Sequence, residues 1–218
     1  MLKRMNVRRV IRLKKWSFSL GIITLIGFVL MFFNFTHEEM VEFDKELSET
    51  FIGNEFVQFF HHIGEPYWIA SATLLLVLFL LFRRKNYRGM LFVLFSVGGG
   101  NLLYHLLIEW IQRVRLDMPQ QLTSFSFPSN HAMVGLLYLF TYAYFLTENH
   151  TSIKWRIGVW ISAITLTLLV GLSRIAGNNH YGTDVLAGWM VGYSFFIIVV
   201  IWYEWRTRMM NKRKPIAD

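Results

Sequence analysis

The residue types in this chain that are best suited to chemistry fall in two short polar stretches, each of which adjoins an apolar run. The first stretch reads Pro128-Ser129-Asn130-His131, and the second begins at Ser173-Arg174 and ends with His180 and Asp184. Ionisable side chains beside apolar membrane segments are costly, so their presence there indicates a functional site. Histidine, arginine and carboxylate together indicate phosphoryl transfer through a phosphohistidine.

The four-residue spacing between His180 and Asp184 is the strongest single signal. If this segment forms the first turn of a helix, the carboxylate can reach one ring nitrogen of the histidine. That contact fixes the tautomer and leaves the other nitrogen available as a nucleophile. We therefore predict His180 as the catalytic nucleophile and Asp184 as its orienting partner.

Three arginines are candidates for holding a phosphate group. Guanidinium binds phosphate oxygens in a bidentate manner, which favours this role for Arg174 and Arg115. Arg113 lies two residues from Arg115, and we predict that it also contacts the phosphate or, alternatively, that it is an interfacial charge.

The residues before the fourth apolar run predict a helix start. Backbone N–H groups at such an end, here those of Asn130 and His131, point toward a bound anion, with the Ser129 hydroxyl beside them. His131 would lie across the phosphate and protonate the leaving oxygen as general acid. Ser129 and Asn130 are accordingly predicted phosphate-binding residues.

The same residues allow two other interpretations. His180 and Asp184 could be a polar pair that caps the last apolar helix. Alternatively, His131, His180 and Asp184 could be metal ligands, but the neighbouring arginines disfavour this because cations beside a metal ion repel it. We predict neither a metal nor a cofactor.

The hydrophobic patterning predicts an all-α, polytopic membrane protein. Hydrophobic residues make up 54% of the 218, and they are concentrated in runs of sixteen or more. The chain is predicted to form one membrane-embedded domain over residues 1–218, with the motif-bearing core at about 95–200. Six membrane spans are predicted, at residues 17–35, 67–82, 89–111, 131–146, 157–172 and 185–205.

An amphipathic extracytoplasmic helix is predicted at residues 51–63, after an acidic segment at 38–49. Its apolar face would carry five residues at helical spacing, namely Ile52, Phe56, Phe59, Phe60 and Ile63. A helix with this pattern lies at the membrane interface. We expect it to brace the membrane surface, with a substrate gate as the less favoured alternative.

The distribution of lysine and arginine predicts the topology. Seven precede the first span, four follow the second, two follow the fourth and five follow the sixth, whereas the opposite side holds only Lys45, Arg113, Arg115 and Arg174. By the positive-inside rule, both termini are cytoplasmic and the two polar stretches converge on the extracytoplasmic face. The net charge of +8 is thus explained by membrane anchoring rather than by nucleic-acid binding.

The two stretches resemble the motifs of the type 2 phosphatidic acid phosphatase superfamily. Ser173-Arg174-x5-His180-x3-Asp184 is similar to the third motif in full, and Pro128-Ser129-Asn130-His131 is similar to the second, Pro-Ser-Gly-His, with Asn130 in place of glycine. The first motif, Lys-x6-Arg-Pro, is degenerate. Aligning its arginine with Arg115 places Ile108 at the lysine and Leu116 at the proline.

The resemblance implies a metal-independent hydrolase of lipid phosphates or diphosphates in a bacterial cell membrane. Undecaprenyl diphosphate is the favoured substrate, followed by phosphatidylglycerophosphate or phosphatidic acid. It also implies the phosphohistidine mechanism, with membrane lipids as surroundings and no nucleic-acid partner. Two alternatives stay open at this point: a phosphotransferase using the same site, and a non-catalytic relative that binds lipid phosphates. The oligomeric state is not indicated.

Overall fold

The computed structural model describes residues 2–114, 125–148 and 150–212, and this part of the chain is almost entirely helical. The helices are α1 Leu2–Asn34, α2 Glu38–Phe51, α3 Glu55–Phe59, α4 Pro66–Leu78, α5 Tyr87–Val93, α6 Gly99–Ile111, α7 Asn130–Glu148, α8 Ile153–Ala176 and α9 Gly182–Lys212. A 3-10 turn at Phe60–Gly64 follows α3. Wider π turns at Phe79–Arg83 and Leu94–Gly98 extend α4 and join α5 to α6.

Five segments are long and apolar enough to cross a membrane, counted over the described residues. They are Trp16–Asn34, Pro66–Arg83, Tyr87–Ile111, Ile153–Ala176 and Gly182–Met209. Each coincides with a predicted span, so the all-helical polytopic fold is confirmed. The sixth predicted span, residues 131–146, corresponds to α7. This helix has 19 residues but is not among the five, so the exact number of six spans stays a prediction.

Helix α7 is less apolar because it lies inside the bundle rather than against lipid. It packs against α8, α9 and α6, and eleven of its residues are buried. Its polar side chains are satisfied by neighbouring helices: Thr141 donates to the Ser96 hydroxyl at 2.8 Å, and Tyr142 donates to the Ala72 carbonyl at 2.6 Å. Neighbouring helices offer such side chains hydrogen-bond partners, which lipid does not.

The close approach of α7 and α9 depends on a glycine. A Cβ atom at Gly188 would lie 2.7 Å from the Ser129 carbonyl oxygen and 2.8 Å from the Ala132 Cβ atom, both near the start of α7. Small residues at helix interfaces allow backbones to approach in this way. The contact matters for function because it brings the starts of α7 and α9, which carry the two polar stretches, to the same end of the bundle.

The segment between the first two spans differs in detail from the prediction. The expected helix at 51–63 is shorter: Asn54 caps α3 by accepting a hydrogen bond from the Val57 N–H at 3.1 Å, and the 3-10 turn follows. The longer amphipathic helix is α2, formed by the acidic segment. Phe56 and Phe59 are exposed, as expected of an interfacial face, while Val57 is buried against the bundle.

Candidate active site

The loop between α8 and α9 holds the proposed nucleophile. The Arg174 carbonyl, in the last turn of α8, accepts hydrogen bonds from the Asn179 N–H at 2.9 Å and the His180 N–H at 3.3 Å. Asn178 adopts a left-handed conformation with φ of 52°, which an asparagine tolerates at the end of a helix. These contacts fold the loop back onto α8 and bury His180, which is 3% exposed.

His180 and Asp184 are paired as the spacing predicts. Nδ1 of His180 lies 3.4 Å from Oδ2 of Asp184, and the Asp184 carboxylate is completely buried. The same Oδ2 accepts a hydrogen bond from the Tyr181 N–H at 3.0 Å, half of a capping box at the start of α9. Nδ1 thus faces the carboxylate, and the role of His180 as nucleophile through its other ring nitrogen stays a prediction.

The first polar stretch lies directly against this pair. The Ser129 N–H donates a 3.0 Å hydrogen bond to the Asp184 carbonyl, which confirms that the two stretches converge. Phe127 anchors the approach to Ser129, because its buried ring stacks on Phe28 and Phe35 with centroids 6.0 and 5.3 Å apart.

Two buried polar atoms mark the start of α7. The Ser129 hydroxyl oxygen and the Asn130 side-chain oxygen are buried without a hydrogen-bond partner among the described residues. The first N–H groups of a helix have no intrahelical acceptor, so those of Asn130 and His131 add donors at the same place. A buried hydroxyl beside such donors is suited to an anionic ligand.

His131 lies near this site, on the first turn of α7. Its Nε2 atom lies 3.8 Å from the Glu65 carboxylate, and its side chain is 11% exposed. Glu65 also lies 4.0 Å from the His61 ring, so the carboxylate stands between two histidines. The role of general acid for His131 stays a prediction.

Of the two arginines first predicted to bind phosphate, the structure describes Arg174 but not Arg115. Arg174 is half-buried on the last turn of α8, beside the loop of His180. Arg115, together with Leu116, lies outside the described residues. The chain on either side of residues 115–124 is held together, because Val114 pairs with Phe125 and the Ser126 N–H donates to the Arg113 carbonyl at 2.8 Å.

Arg113 has a different environment from the one that the sequence suggested. Its Nη1 atom donates to Oδ1 of Asp184 and to the Thr183 hydroxyl, both at 2.7 Å, and its Nη2 atom donates to Oδ2 of Asp44 at 3.0 Å. The guanidinium thus joins two carboxylates. Its predicted contact with phosphate stays a prediction.

Sequence reasoning missed Asp44, Thr183 and Glu65. One signal for Asp44 was present: in α2 it shares a face with Met40, Leu47 and Phe51, at spacings of three and four residues. A carboxylate on the buried face of an amphipathic helix requires a partner. Asp44 is 3% exposed, and Leu47 and Phe51 pack beside it against α7, α8 and α9.

The described residues contain no group of three or more His, Asp or Glu side chains arranged to hold a metal ion. The alternative ligand set of His131, His180 and Asp184 accordingly does not form such a group.

Comparison with known proteins shows the same resemblance. The model of the PAP2 superfamily matches residues 104–208. The chain is 34% identical over 149 residues to phosphatidylglycerophosphatase B of Bacillus subtilis (strain 168), covering 67% of this chain and 73% of that protein. It is 29% identical over 148 residues to an undecaprenyl-diphosphatase of Sulfolobus acidocaldarius, covering 64% and 65% of the two chains.

A solved structure supports the assignment at the level of the fold. The crystal structure of a transmembrane PAP2-type phosphatidylglycerolphosphate phosphatase from Bacillus subtilis superposes with a TM-score of 0.73 and 28% sequence identity. The similarity covers 90% of this chain and 98% of that one. The chain belongs to the PAP2 superfamily and is a multi-pass membrane phosphatase of that family.

Proposed function

We propose that this protein hydrolyses a lipid phosphate or diphosphate through a phosphohistidine at His180. The observation that carries the proposal is the junction of the two stretches: the buried His180–Asp184 pair, 3.4 Å apart, is hydrogen-bonded through Asp184 to Ser129 at the start of α7. This junction supports a nucleophile beside an anion-binding helix end.

In the first half of the reaction, Nε2 of His180 attacks the phosphorus atom and forms an N–P bond. The bond from phosphorus to the lipid oxygen breaks, and His131 donates a proton to that oxygen. Arg174, the Ser129 hydroxyl and the first N–H groups of α7 stabilise the charge on the transferred group. Arg115 is proposed to join them, and the Asn130 side chain would contact the same oxygens.

In the second half, a water molecule attacks the phosphohistidine. His131 accepts a proton from this water as the oxygen–phosphorus bond forms, and the N–P bond breaks to return neutral His180 and release inorganic phosphate. Asp184 keeps the imidazole in the same tautomer throughout, because its contact with Nδ1 does not change.

The substrate class rests on the relatives. One is named for phosphatidylglycerophosphate and another for undecaprenyl diphosphate, and both lipids present a phosphate group at the membrane surface. We propose that one of these two lipids, or the related phosphatidic acid, is the substrate. The distribution of basic residues supports a site on the extracytoplasmic face with cytoplasmic termini.

The basic turn and the candidate site lie at opposite ends of the bundle, which supports that orientation. Phe92, in the helix α5 that follows the basic turn between α4 and α5, packs edge-on against Tyr203 near the end of α9, with ring centroids 5.0 Å apart. The basic turn and the C-terminal part of α9 therefore lie at one end of the bundle. His180 and Arg113 lie at the start of α9, which is its opposite end.

The test is phosphate release by the purified protein in detergent with excess chelator. Phosphatidylglycerophosphate, undecaprenyl diphosphate and phosphatidic acid are supplied in parallel, each with a labelled phosphate. His180→Ala is compared with His150→Ala, which changes an exposed histidine in the loop between α7 and α8. We expect phosphate release from at least one lipid, together with an acid-labile phosphoprotein, in the wild type and in His150→Ala but not in His180→Ala.

Three results would contradict this proposal. Undiminished release in His180→Ala would exclude His180 as the nucleophile. Transfer of the label to an acceptor other than water would make the protein a phosphotransferase. Binding of all three lipids without release from any of them would identify a non-catalytic relative.

A further inference from the structure

We propose that Asp44 and Arg113 are positioning residues for the nucleophile, so that the outer helix α2 is part of the catalytic apparatus. The inference rests on the proposed function of His180. The geometry behind it is a continuous chain of buried contacts: Asp44 holds Arg113, Arg113 holds Asp184, and Asp184 orients His180.

Arg113 forms the centre of this chain. Its two terminal nitrogens contact separate carboxylates, with Nη1 at 2.7 Å from Asp184 and Nη2 at 3.0 Å from Asp44. The side chain is 10% exposed, so water screens these contacts weakly. A planar guanidinium with fixed donors can hold the two acceptors at a set separation, which a lysine cannot do.

The plane of the guanidinium is set by two aromatic rings. The Cζ atom of Arg113 lies 4.1 Å from the centroid of the Tyr181 ring and 4.8 Å from that of Phe35. These distances are within the range of cation–π attraction. Tyr181 directly follows His180 in the chain, so the arginine is also held against the loop that carries the nucleophile.

Asp44 is more than a counter-ion, because it also binds the backbone at the start of α9. Its Oδ1 atom accepts the Thr183 N–H at 2.7 Å, and its Oδ2 atom accepts the Thr183 hydroxyl at 2.8 Å. Thr183 is the neighbour of Asp184. Asp44 therefore fixes both the arginine that contacts Asp184 and the backbone that carries it.

The charges explain how this arrangement would act on His180. Asp184 alone would favour the imidazolium form of His180, which is not nucleophilic. The cation of Arg113 offsets part of that effect, and Asp44 in turn offsets part of the charge of Arg113. The charged or titratable groups that meet here are Asp44 from α2, Arg113 after α6, His180 and Tyr181 from the loop, and Asp184 from α9.

This mechanism predicts that two opposite changes of charge have opposite effects on the pH profile. Asp44→Asn removes an anion, so the acid limb of the kcat/KM profile should move to lower pH. Arg113→Gln removes a cation, so the same limb should move to higher pH. Both variants should lower kcat by about 10–100-fold, by analogy with the effect of removing the hydrogen-bond partners of metal-ligating histidines. Glu42→Gln, an exposed carboxylate on the same helix, is the control.

A double variant provides the second measurement. Arg113→Gln leaves two buried carboxylates without their shared cation, and adding Asp44→Asn removes one of them. We therefore expect the double variant Asp44→Asn/Arg113→Gln to be more active than Arg113→Gln alone. Such a result would show that the two substitutions are not additive, as is typical of residues in one network. Inhibition by inorganic phosphate should be unchanged in all three variants, because positioning residues act on kcat rather than on phosphate binding.

The outcomes separate this inference from the proposed function. An inactive wild-type protein would contradict the proposed function itself. An active wild type with weakened phosphate inhibition in Arg113→Gln would show that Arg113 is a phosphate ligand and overturn the inference. Reduced kcat with pH limbs identical to those of the wild type, or additive effects in the double variant, would show a purely structural contact and overturn it as well.

Discussion

The carboxylate of Glu65 lies 3.8 Å from Nε2 of His131, on the first turn of α7. An ionised carboxylate at this distance favours the protonated form of an imidazole. Glu65 is therefore suited to keep the proposed general acid charged before it donates its proton.

The variant Glu65→Gln tests this relationship. We expect the alkaline limb of the kcat profile to move to lower pH, because the neutral amide no longer stabilises the imidazolium of His131. The measurement is kcat from pH 5 to 9 with the preferred lipid. Glu55→Gln, in the neighbouring helix α3, is the control. An alkaline limb unchanged from that of the wild type would contradict the role of Glu65.

The packing of Gly64 against His131 leads to a second prediction. A Cβ atom at Gly64 would lie 2.7 Å from Cδ2 of His131 and 2.6 Å from Cγ1 of Val170, so the imidazole or the turn must shift. Overpacking of this kind costs about 1–3 kcal/mol. We expect Gly64→Ala to lower kcat while the folded protein is still obtained.

The control for Gly64→Ala is Gly158→Ala, at a helical position where an added Cβ meets no atom within 4 Å. This substitution should leave kcat unchanged, and alanine raises helix stability by about 0.5–1 kcal/mol relative to glycine. Equal kcat values in the two variants would show that the close contact with His131 has no catalytic importance.

Ile108 occupies the position that the resemblance assigns to a lysine. It is 8% exposed and belongs to an apolar cluster with Tyr104, Phe127 and Met133. Ile108→Lys buries an ammonium group among these side chains, which is unfavourable without a partner. We expect a lower Tm, at about 2–4 °C for each kcal/mol lost in a chain of this size.

Thermal unfolding in detergent compares Ile108→Lys with Ile108→Leu, which keeps the volume and apolar character of the site. A Tm equal to that of the leucine variant, together with higher phosphatase activity, would instead show that a lysine here reaches the phosphate and restores the first motif.

The stability of the protein should depend on the titration of Asp44. Burial raises the pKa of this carboxyl above its ordinary value of 3.8, and the hydrogen bonds from Thr183 and Arg113 oppose that shift only in part. The folded state therefore binds the Asp44 proton more tightly than the unfolded state. The resulting stabilisation is complete below pH 3.8 and is lost as the pH rises through the raised pKa.

The measurement is Tm of the wild type and of Asp44→Asn between pH 4 and 7. Because asparagine does not titrate, the difference between the two Tm values isolates this group, and we expect the wild type to gain relative to the variant as the pH falls. A difference that does not vary with pH would contradict the raised pKa.

The proposed topology can be tested independently of activity. A reporter that works only in the cytoplasm should be active when it is fused after Asp218, because the basic residues accumulate on the side of the termini. A cysteine introduced at Gln121, four residues before Phe125 in the sequence, should react with a membrane-impermeant thiol reagent in intact cells if the proposed topology holds. The native chain has no cysteine to confuse the result. Labelling that occurs only after cell lysis would indicate the opposite orientation.

The sequence by itself determined the helical class, the positions of the apolar spans and the pairing of His180 with Asp184. These features are local, because they depend on hydrophobic periodicity and on a four-residue spacing that a helix start brings into contact. The convergence of Ser129 with Asp184 also followed from the sequence, since the predicted alternation of six spans would place their two loops on one side of the membrane.

The tertiary structure alone decided which partners complete the site. Asp44 reaches Arg113 and Thr183 across 69 and 139 residues of sequence. Glu65 meets His131 in the same way, from a segment before the second span. No local pattern specifies such contacts, because they depend on how α2 and the turn after α3 fold back over the bundle. The spacing of Asp44 with Met40, Leu47 and Phe51 marks it in the sequence as the acidic residue on the apolar face of α2, but only packing shows which groups it contacts.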